Sequence, residues 1–365
     1  MRLSNERPSL QNFSERIEEG DLKSPSSNIQ PCRFDGNRLV ILDQTQLPVR
    51  LSYRNLKNYK AVAKAIKTLQ VRGAPLIGVI AACGLALEAK KRVAKKNFRS
   101  YLTQVAKVLK KTRPTAVNLF WAIERIEKII EQPLPNQKLS KLLMLEAQKI
   151  WDEEKKRSLA MGKVGAKLVK KNAHILTICN SGKLAAPGLG TALSVIYTAA
   201  INKKNPLVYV CETRPLLQGA RLTAFELTRA GIAFVLITDS MVGTIASRID
   251  LVLVGADRIA ANGDVANKIG TLTLAITANH YQLPFYVVAP ISTFDLTKPN
   301  GNAITIEMRG SDEISKIGGQ RIAPKGVRVY NPAFDITPAK MITGIITDKG
   351  IIYPPYQKSI AKFCQ

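Results

Sequence analysis

A chain of 365 residues, 46% of them hydrophobic, can bury more than one core, so the length predicts two domains. Its five cysteines are widely spaced and form no Cys-x-x-Cys motif, which argues against a disulfide framework and a structural zinc site. The net charge of +27 would suit nucleic-acid binding, but the lysines are dispersed and no nucleic-acid-binding motif accompanies them, so solvated basic faces explain the charge better.

Residues 1–30 are polar and predict a disordered or loosely packed leader. The first residues lack the apolar core of a secretory signal. No apolar run along the chain approaches the length needed to span a bilayer. We therefore expect a cytoplasmic protein that makes no membrane contact.

The first half of the chain is predicted to be mainly helical. Two short apolar segments, residues 38–42 and 49–53, predict strands joined by a turn. Apolar residues then recur at helical spacing, and the predicted helices cover residues 59–69, 76–93, 98–109, 116–130 and 138–170. These elements predict a helical N-terminal domain with a small β-hairpin over residues 31–160.

The periodicity changes in the second half, where short apolar strands alternate with helical segments. The predicted strands cover residues 175–179, 207–211, 234–238, 251–254, 285–289 and 344–347. Such alternation is typical of a parallel sheet covered by helices. The expected fold is therefore α/β, with a Rossmann-like parallel-sheet domain over residues 161–365.

Polar residues follow several of these strands, and the most informative is Asp257, after the strand at 251–254. A loop containing glycine is predicted to bring Asn267 and Lys268 to the start of the next helix. Cys179 is the last residue of the first predicted strand of the sheet. Because parallel strands end at one edge of a sheet, we expect these side chains to meet there, in a site suited to a small phosphorylated molecule and proton chemistry. A helix cap is the structural alternative for Asp257.

Several longer blocks have a specific residue order within residues 35–355. They are RGAP at 72–75, RPTAVNL at 113–119, CNSG at 179–182, ETRPLLQGARLT at 212–223, ITDSM at 237–241, the segment 255–270 and YNPAFDITP at 330–338. Together they resemble the methylthioribose-1-phosphate isomerases, of the family that also contains the regulatory subunits of initiation factor 2B. The cysteine block together with Asp257 favours the isomerases within that family.

The resemblance implies conversion of 5-methylthioribose 1-phosphate into 5-methylthioribulose 1-phosphate in methionine salvage, by a homodimer without metal or organic cofactor. It implies that Cys179 and Asp257 are the catalytic pair. The substrate contacts that it implies are Arg72, Gly73, Ala74, Arg113, Gln218, Asn267 and Lys268.

The chemistry of this reaction agrees with the residue types. In an aldose 1-phosphate the phosphate blocks the anomeric oxygen, so ring opening needs an acid at the ring oxygen, and Asp257 suits this role if burial raises its pKa. Cys179 suits a base or proton carrier. Arg72 and Arg113 suit bidentate phosphate recognition. Proton transfer through an enolate and a direct hydride shift both remain open.

Two departures from the family pattern leave the substrate open. Ile178 stands where the family usually has histidine, and Lys183 adds a cation near the cysteine, which would lower the thiol pKa or bind a second phosphate. Ribose 1,5-bisphosphate and 5-deoxyribose 1-phosphate are therefore alternative substrates. A non-catalytic regulatory or nucleic-acid-associated role is the alternative from another class. Arg221 and Glu226, on one predicted helix, are expected to pair with each other.

Overall fold

The structure is a computed structural model that describes residues 29–113 and 116–364. The predicted leader lies outside the described residues except for its last two positions, and so do Pro114 and Thr115 of the RPTAVNL block. Within the described ranges, no helix is both long and apolar enough to cross a membrane.

The first part of the chain combines a small antiparallel sheet with a set of helices. The strands, which lie in this order in the sheet, are β1 (Cys32–Phe34), β2 (Leu39–Leu42) and β3 (Tyr53–Asn55). The helices are α1 (Tyr59–Lys67), α2 (Ala74–Arg92), α3 (Phe98–Lys110), α4 (Val117–Ile130) and α5 (Asn136–Gly165).

The predicted strand at 49–53 is wrong except for its last residue. The Arg50 N–H donates to the Gln46 carbonyl (2.9 Å), so this stretch turns on itself, and Val49 is 94% exposed. β3 begins only at Tyr53, and the predicted two-stranded hairpin is a three-stranded sheet. The predicted helices agree with α1 to α5 to within a few residues at their ends.

Helix α2 forms the centre of the helical part, and every residue from 74 to 89 is buried. Helix α5 is shared between two cores. Its residues Leu143 and Ile150 pack in the helical core, whereas Met161 packs in a core beside the main sheet. The predicted boundary at residue 160 falls inside this shared helix and stays a prediction.

The second part of the chain is built on strands separated by helices. Its strands in chain order are β4 (His174–Thr177), β5 (Leu207–Cys211), β6 (Phe234–Ile237), β7 (Leu251–Val254), β8 (Arg258–Ala260), β9 (Val265–Lys268), β10 (Phe285–Val288), β11 (Phe294–Asp295), β12 (Lys316–Ile317), β13 (Gln320–Arg321), β14 (Phe334–Thr337), β15 (Gly344–Thr347) and β16 (Gly350–Ile352). Its helices are α6 (Ala192–Ile201), α7 (Ala224–Arg229), α8 (Val242–Ile245), α9 (Thr271–His280), α10 (Asp312–Ser315) and α11 (Tyr356–Cys364).

The main sheet has the strand order β16-β15-β10-β7-β4-β5-β6. Only β16 runs antiparallel to its neighbour. The chain moves outward from β4 through β5 to β6, then returns to the other side of β4 and continues through β7, β10 and β15. This is the Rossmann strand order, and its direction reverses between β4 and β7. The predicted parallel-sheet fold is confirmed, with buried apolar clusters beside the sheet.

The segment after β7 is not the predicted loop. β8 and β9 form an antiparallel hairpin closed by a turn at Asn262 and Gly263, within a second sheet of order β11-β8-β9-β14. Asn267 and Lys268 therefore end strand β9, paired with Asp335 and Phe334 of β14, and helix α9 begins three residues later. Asn-Gly readily adopts the tight turn that joins two antiparallel strands, which explains why this segment forms a hairpin and not a loop.

Candidate active site

Cys179 and Asp257 lie where the strand order reverses. Cys179 comes two residues after β4, Asp257 comes three residues after β7, and these strands are neighbours in the sheet. Both residues line one cavity, together with every predicted substrate contact. In open α/β sheets this crevice is the usual ligand site, because loops from two adjacent strands separate there.

The backbone of Cys179 has φ +64°, a left-handed conformation that few residues other than glycine adopt. Two buried threonines hold it. The Cys179 N–H donates to Thr213 Oγ1 (2.8 Å), and Thr223 Oγ1 donates to the Cys179 carbonyl oxygen (2.6 Å). Thr213 in turn donates its own N–H to Asp239 Oδ1 (2.8 Å), so the ends of β4, β5 and β6 are linked. This convergence of strand ends is the one expected from the sequence.

Asp257 is anchored through its N–H, which donates to the Ala266 carbonyl of β9 (2.9 Å). Burial raises the pKa of the Asp257 carboxyl group, although the positive charges of Lys268, Arg113 and Arg72 act in the opposite direction. Desolvation is the larger effect, so the protonated acid is favoured at higher pH than for an exposed aspartate.

Lys268 interacts electrostatically with both Cys179 and Asp257. Burial lowers the pKa of its ammonium group, while the nearby Cys179 and Asp257 raise it. Its Nζ donates to the Ala333 carbonyl oxygen (2.9 Å) and lies 4.6 Å from the centre of the Phe334 ring. Strand β14 therefore holds the ammonium group next to both candidate catalytic side chains.

The helical part of the chain supplies the opposite wall. Arg72 is buried and donates through Nη1 to Asn180 Oδ1 (3.1 Å) and through Nη2 to the Asn180 carbonyl. Gly73 and Ala74 follow at the start of the long helix α2, and both line the cavity. First-turn amides of a helix have no partner inside it and attract anions.

Arg113 belongs to a charge network that the sequence prediction missed. Its Nε lies 3.1 Å from Glu307 Oε2, and Arg309 Nη1 lies 2.9 Å from Glu307 Oε1. Burial raises the pKa of Glu307, but the two guanidinium groups outweigh it and hold the pKa below its usual range. Glu307 and Arg309 both line the cavity. They lie in a stretch of little regular structure, where charged residues look like a solvated loop.

Buried polar side chains complete the lining. Asn267 is buried and donates through Nδ2 to Thr271 Oγ1 (3.0 Å). Gln218 Oε1 and Ser181 Oγ are buried and have no hydrogen-bond partner among the described residues. Buried polar atoms are usually satisfied, so two such atoms in one cavity suggest that a ligand supplies their partners. Ser181 was not predicted as a contact.

Lys183 does not join the site. Its Nζ lies 5.3 Å from the Tyr197 ring centre, and Lys183 is absent from the cavity lining. The expectation that it would bind a second phosphate is wrong, because its side chain lies over the Tyr197 ring of helix α6 rather than in the cavity. The predicted Arg221–Glu226 pair is also wrong: Arg221 donates to the Gln44, Thr45 and Leu47 carbonyls.

Cys211 and the two histidines lie away from the cavity. Cys211 is buried in a core beside the sheet. Both histidines of the sequence are elsewhere. His174 begins β4, at the opposite end of the strand from Cys179, and His280 is exposed at the end of α9.

The fold and the cavity define a Rossmann-like α/β protein with a thiol, a carboxyl group and several cations at its switch point. Such a site is suited to proton chemistry on a small anionic molecule. The chain belongs to the Initiation factor 2 subunit family, whose model matches residues 70–354.

Similar proteins cover most of the chain. The methylthioribose-1-phosphate isomerase of Carboxydothermus hydrogenoformans is 52% identical over 89% of this chain and 96% of its own length. The crystal structure of 5-methylthioribose 1-phosphate isomerase from Pyrococcus horikoshii covers 93% of this chain and 98% of that chain, with 41% identity and a TM-score of 0.85. A structure described as translation initiation factor eIF-2B subunit delta from A. fulgidus has 42% identity, covers 92% of this chain and 99% of that chain, and has a TM-score of 0.81.

Proposed function

We propose that this chain is a methylthioribose-1-phosphate isomerase that converts 5-methylthioribose 1-phosphate into 5-methylthioribulose 1-phosphate in methionine salvage. The observation that carries this proposal is the position of Cys179 and Asp257 on neighbouring strand ends, with Lys268 acting electrostatically on both. Relatives of about this length that are 47–52% identical carry the isomerase name.

Asp257 is the acid that opens the sugar ring. Its carboxyl proton passes to the ring oxygen as the bond between that oxygen and C1 breaks, which leaves a carboxylate and an electron-poor C1. Burial raises the Asp257 pKa and so favours the protonated acid that this step requires. The phosphate stays on C1 throughout, so the step needs no other reactant.

Cys179 serves the second step, in which hydrogen moves from C2 to C1. By proton transfer, the Cys179 thiolate removes the C2 proton to give an enol. The thiol then returns this proton to C1 while the C2 hydroxyl group gives its proton to the Asp257 carboxylate. By hydride shift, the C2 hydrogen moves to C1 with its electron pair, and Cys179 carries the proton lost by the C2 hydroxyl group to the Asp257 carboxylate. Both routes end in the same ketose. Lys268 beside the thiol provides the electropositive surroundings typical of reactive cysteines.

The substrate phosphate is held by the cationic wall. Arg72, Arg113 and Lys268 converge on the cavity, and the first amides of α2, at Gly73 and Ala74, add donors. We assign the sugar hydroxyl groups to the buried polar atoms of Gln218, Ser181 and Asn267, which line the same cavity.

Purified protein incubated with 5-methylthioribose 1-phosphate should produce the ketose, detected by NMR. Cys179→Ser should lower kcat by about 10²-fold or more, because a hydroxyl group is a much poorer proton carrier than a thiol. Cys364→Ser, in helix α11, is the matched control and should keep the parent rate. The proposal fails if the parent protein at micromolar concentration gives no ketose, or if Cys179→Ser matches the control.

Assays with 5-deoxyribose 1-phosphate and ribose 1,5-bisphosphate determine the substrate. Lys183, the residue that would suit a second phosphate, lies outside the cavity. We expect kcat/KM to be highest for the methylthio sugar, and Lys183→Ala to leave the ranking unchanged. A higher kcat/KM for either alternative sugar would replace the proposed substrate within the same reaction type.

We also propose that the chain acts as a homodimer, as the family resemblance implies. Light scattering at low concentration should give twice the chain mass of 40.1 kDa. A nucleic-acid-associated role is the second candidate function, which the net charge of +27 would suit but the dispersed lysines argue against. Stoichiometric, salt-sensitive binding of tRNA at physiological ionic strength, without isomerase activity, would support it.

A further inference from the structure

Glu226 is a buried carboxylate that does not line the cavity. It lies on α7 and accepts four hydrogen bonds. Asn180 Nδ2 (2.7 Å) and the Leu184 N–H (3.2 Å) donate to Oε1, while the Lys183 N–H (2.7 Å) and the Tyr197 hydroxyl (2.8 Å) donate to Oε2. Three of these donors belong to the loop that follows Cys179, so this one carboxylate binds three residues of the loop.

The sequence of the loop fits this arrangement. Gly182 lies directly against the carboxylate, and a Cβ atom there would lie 2.3 Å from Glu226 Oε2. Such a distance is too short for any side chain, so only glycine lets the loop wrap around the carboxylate this closely. The glycine and the glutamate form one local structure.

The network continues from Glu226 into the cavity along two paths. Asn180, held by Glu226, accepts Arg72 Nη1 on Oδ1 and Arg72 Nη2 on its carbonyl oxygen. Asn180 also donates to Thr223 Oγ1 (3.2 Å), whose hydroxyl group donates to the Cys179 carbonyl oxygen. One path thus ends at a proposed phosphate ligand and the other at the backbone of the proposed catalytic cysteine.

We propose that Glu226 is a positioning residue that holds the Cys179 backbone and the Arg72 guanidinium group in register through Asn180. This inference rests on the proposed function, because it gives Glu226 a role in the geometry of that site. It does not touch the substrate. Its effect comes from the restrained conformation of Cys179, whose positive φ needs support from its surroundings.

Glu226→Gln tests this role while nearly preserving size. The amide group replaces one acceptor oxygen by a donor, so at least two of the four N–H and O–H donors lose their acceptor. We expect kcat to fall and KM to rise, with a combined loss in kcat/KM of about 10². Glu88→Gln is the matched control: Glu88 is also a buried carboxylate, accepting from the Tyr101 hydroxyl (2.6 Å), but it lies near the far end of α2. It should lower stability without changing kcat or KM.

A double-mutant cycle tests the path through Arg72. If Glu226 acts through this guanidinium group, Glu226→Gln should raise KM much less in an Arg72→Ala background than in the parent. Strict additivity of the two KM effects would overturn the path to Arg72. Equal losses in Glu226→Gln and Glu88→Gln would overturn the positioning role as a whole.

Alkylation of Cys179 by iodoacetamide gives a readout that needs no substrate, so it remains informative if the isomerase proposal fails. Peptide mass spectrometry should show Cys179 alkylation slowed by about 10-fold in Glu226→Gln and unchanged in Glu88→Gln. If Glu226→Gln does not fold, Thr223→Val removes the hydroxyl group on the same path and should slow alkylation similarly. An alkylation rate within twofold of the parent, in whichever of these variants folds, would refute the proposal.

Discussion

Replacing Gly73 by alanine tests whether the start of α2 is fixed against the loop after Cys179. Gly73 has φ +92°, and a Cβ atom there would lie 2.3 Å from the Ala185 carbonyl oxygen and 2.4 Å from the Ala185 Cα. The same carbonyl accepts the Leu76 N–H from the first turn of α2 (3.2 Å). The added methyl group therefore pushes against backbone that cannot rotate away.

The destabilisation has two parts. A left-handed conformation costs a residue with a Cβ atom about 1–2 kcal/mol relative to glycine. Forcing a methyl group into packed surroundings costs a further 1–3 kcal/mol or so. The sum is about 2–5 kcal/mol, and for a chain of this size we expect the melting temperature to fall by roughly 3–7 °C. KM should also rise by about 10-fold or more, because Arg72 and the first amides of α2 move away from the phosphate.

Calorimetry and initial-rate kinetics measure the two effects on the same preparation. Gly243→Ala is the control, since Gly243 is exposed in α8 and no described heavy atom would lie within 4 Å of its new Cβ. It should leave KM unchanged and stability within about 1 kcal/mol of the parent. A Gly73→Ala protein with the parent melting temperature and KM would refute the close packing of α2 against Ala185.

Three further predictions concern titratable groups. Asp257→Asn should abolish most turnover, while calorimetry should show that the substrate still binds. In the parent, kcat should decline on the alkaline side as Asp257, whose pKa is raised by burial, loses its proton. If the residual activity of Asp257→Asn showed the same decline, a group other than Asp257 would cause it. Lys268→Met should raise KM more than it lowers kcat, because its charge contacts the phosphate in ground and transition states alike; an effect on kcat alone would contradict this role. Burial raises the pKa of Asp335 from 3.8 to about 6, so ionisation of this carboxyl group opposes folding, and the stability of the parent should fall by about 3 kcal/mol between pH 3 and 7. Denaturant titration should show that this fall is missing in Asp335→Asn.

The main sheet was predictable because its strands are short buried apolar runs. β5, β7 and β15 agree with the predicted bounds at both ends, since polar residues or turns flank each run. Alternation with helices then predicts parallel strands on general grounds. Sequence patterns did not determine the bounds of β3, where a local turn at residues 46–50 displaces the strand.

The site was predictable only where a motif marked it. The structure brings every predicted site residue to one cavity, and their catalytic and binding roles stay predictions. Glu307 and Arg309 carry no periodic signal, because they come from an irregular stretch that reaches the cavity through tertiary packing. The predicted pairing of Glu226 with Arg221 is wrong because residues five apart do not face each other on a regular α-helix. Their partners depend on loops distant in the sequence.

The walls of the cavity come from widely separated parts of the chain, from Arg72 on one side to Phe334 on the other. During synthesis the helical part and β4 emerge first, but β14, which holds Lys268, emerges only after most of the chain has been made. A chain interrupted before residue 333 could form much of the main sheet and still lack one wall of the cavity. Ligand binding would therefore distinguish completed molecules from truncated ones, and stabilisation by the ligand would protect only the completed molecules from degradation.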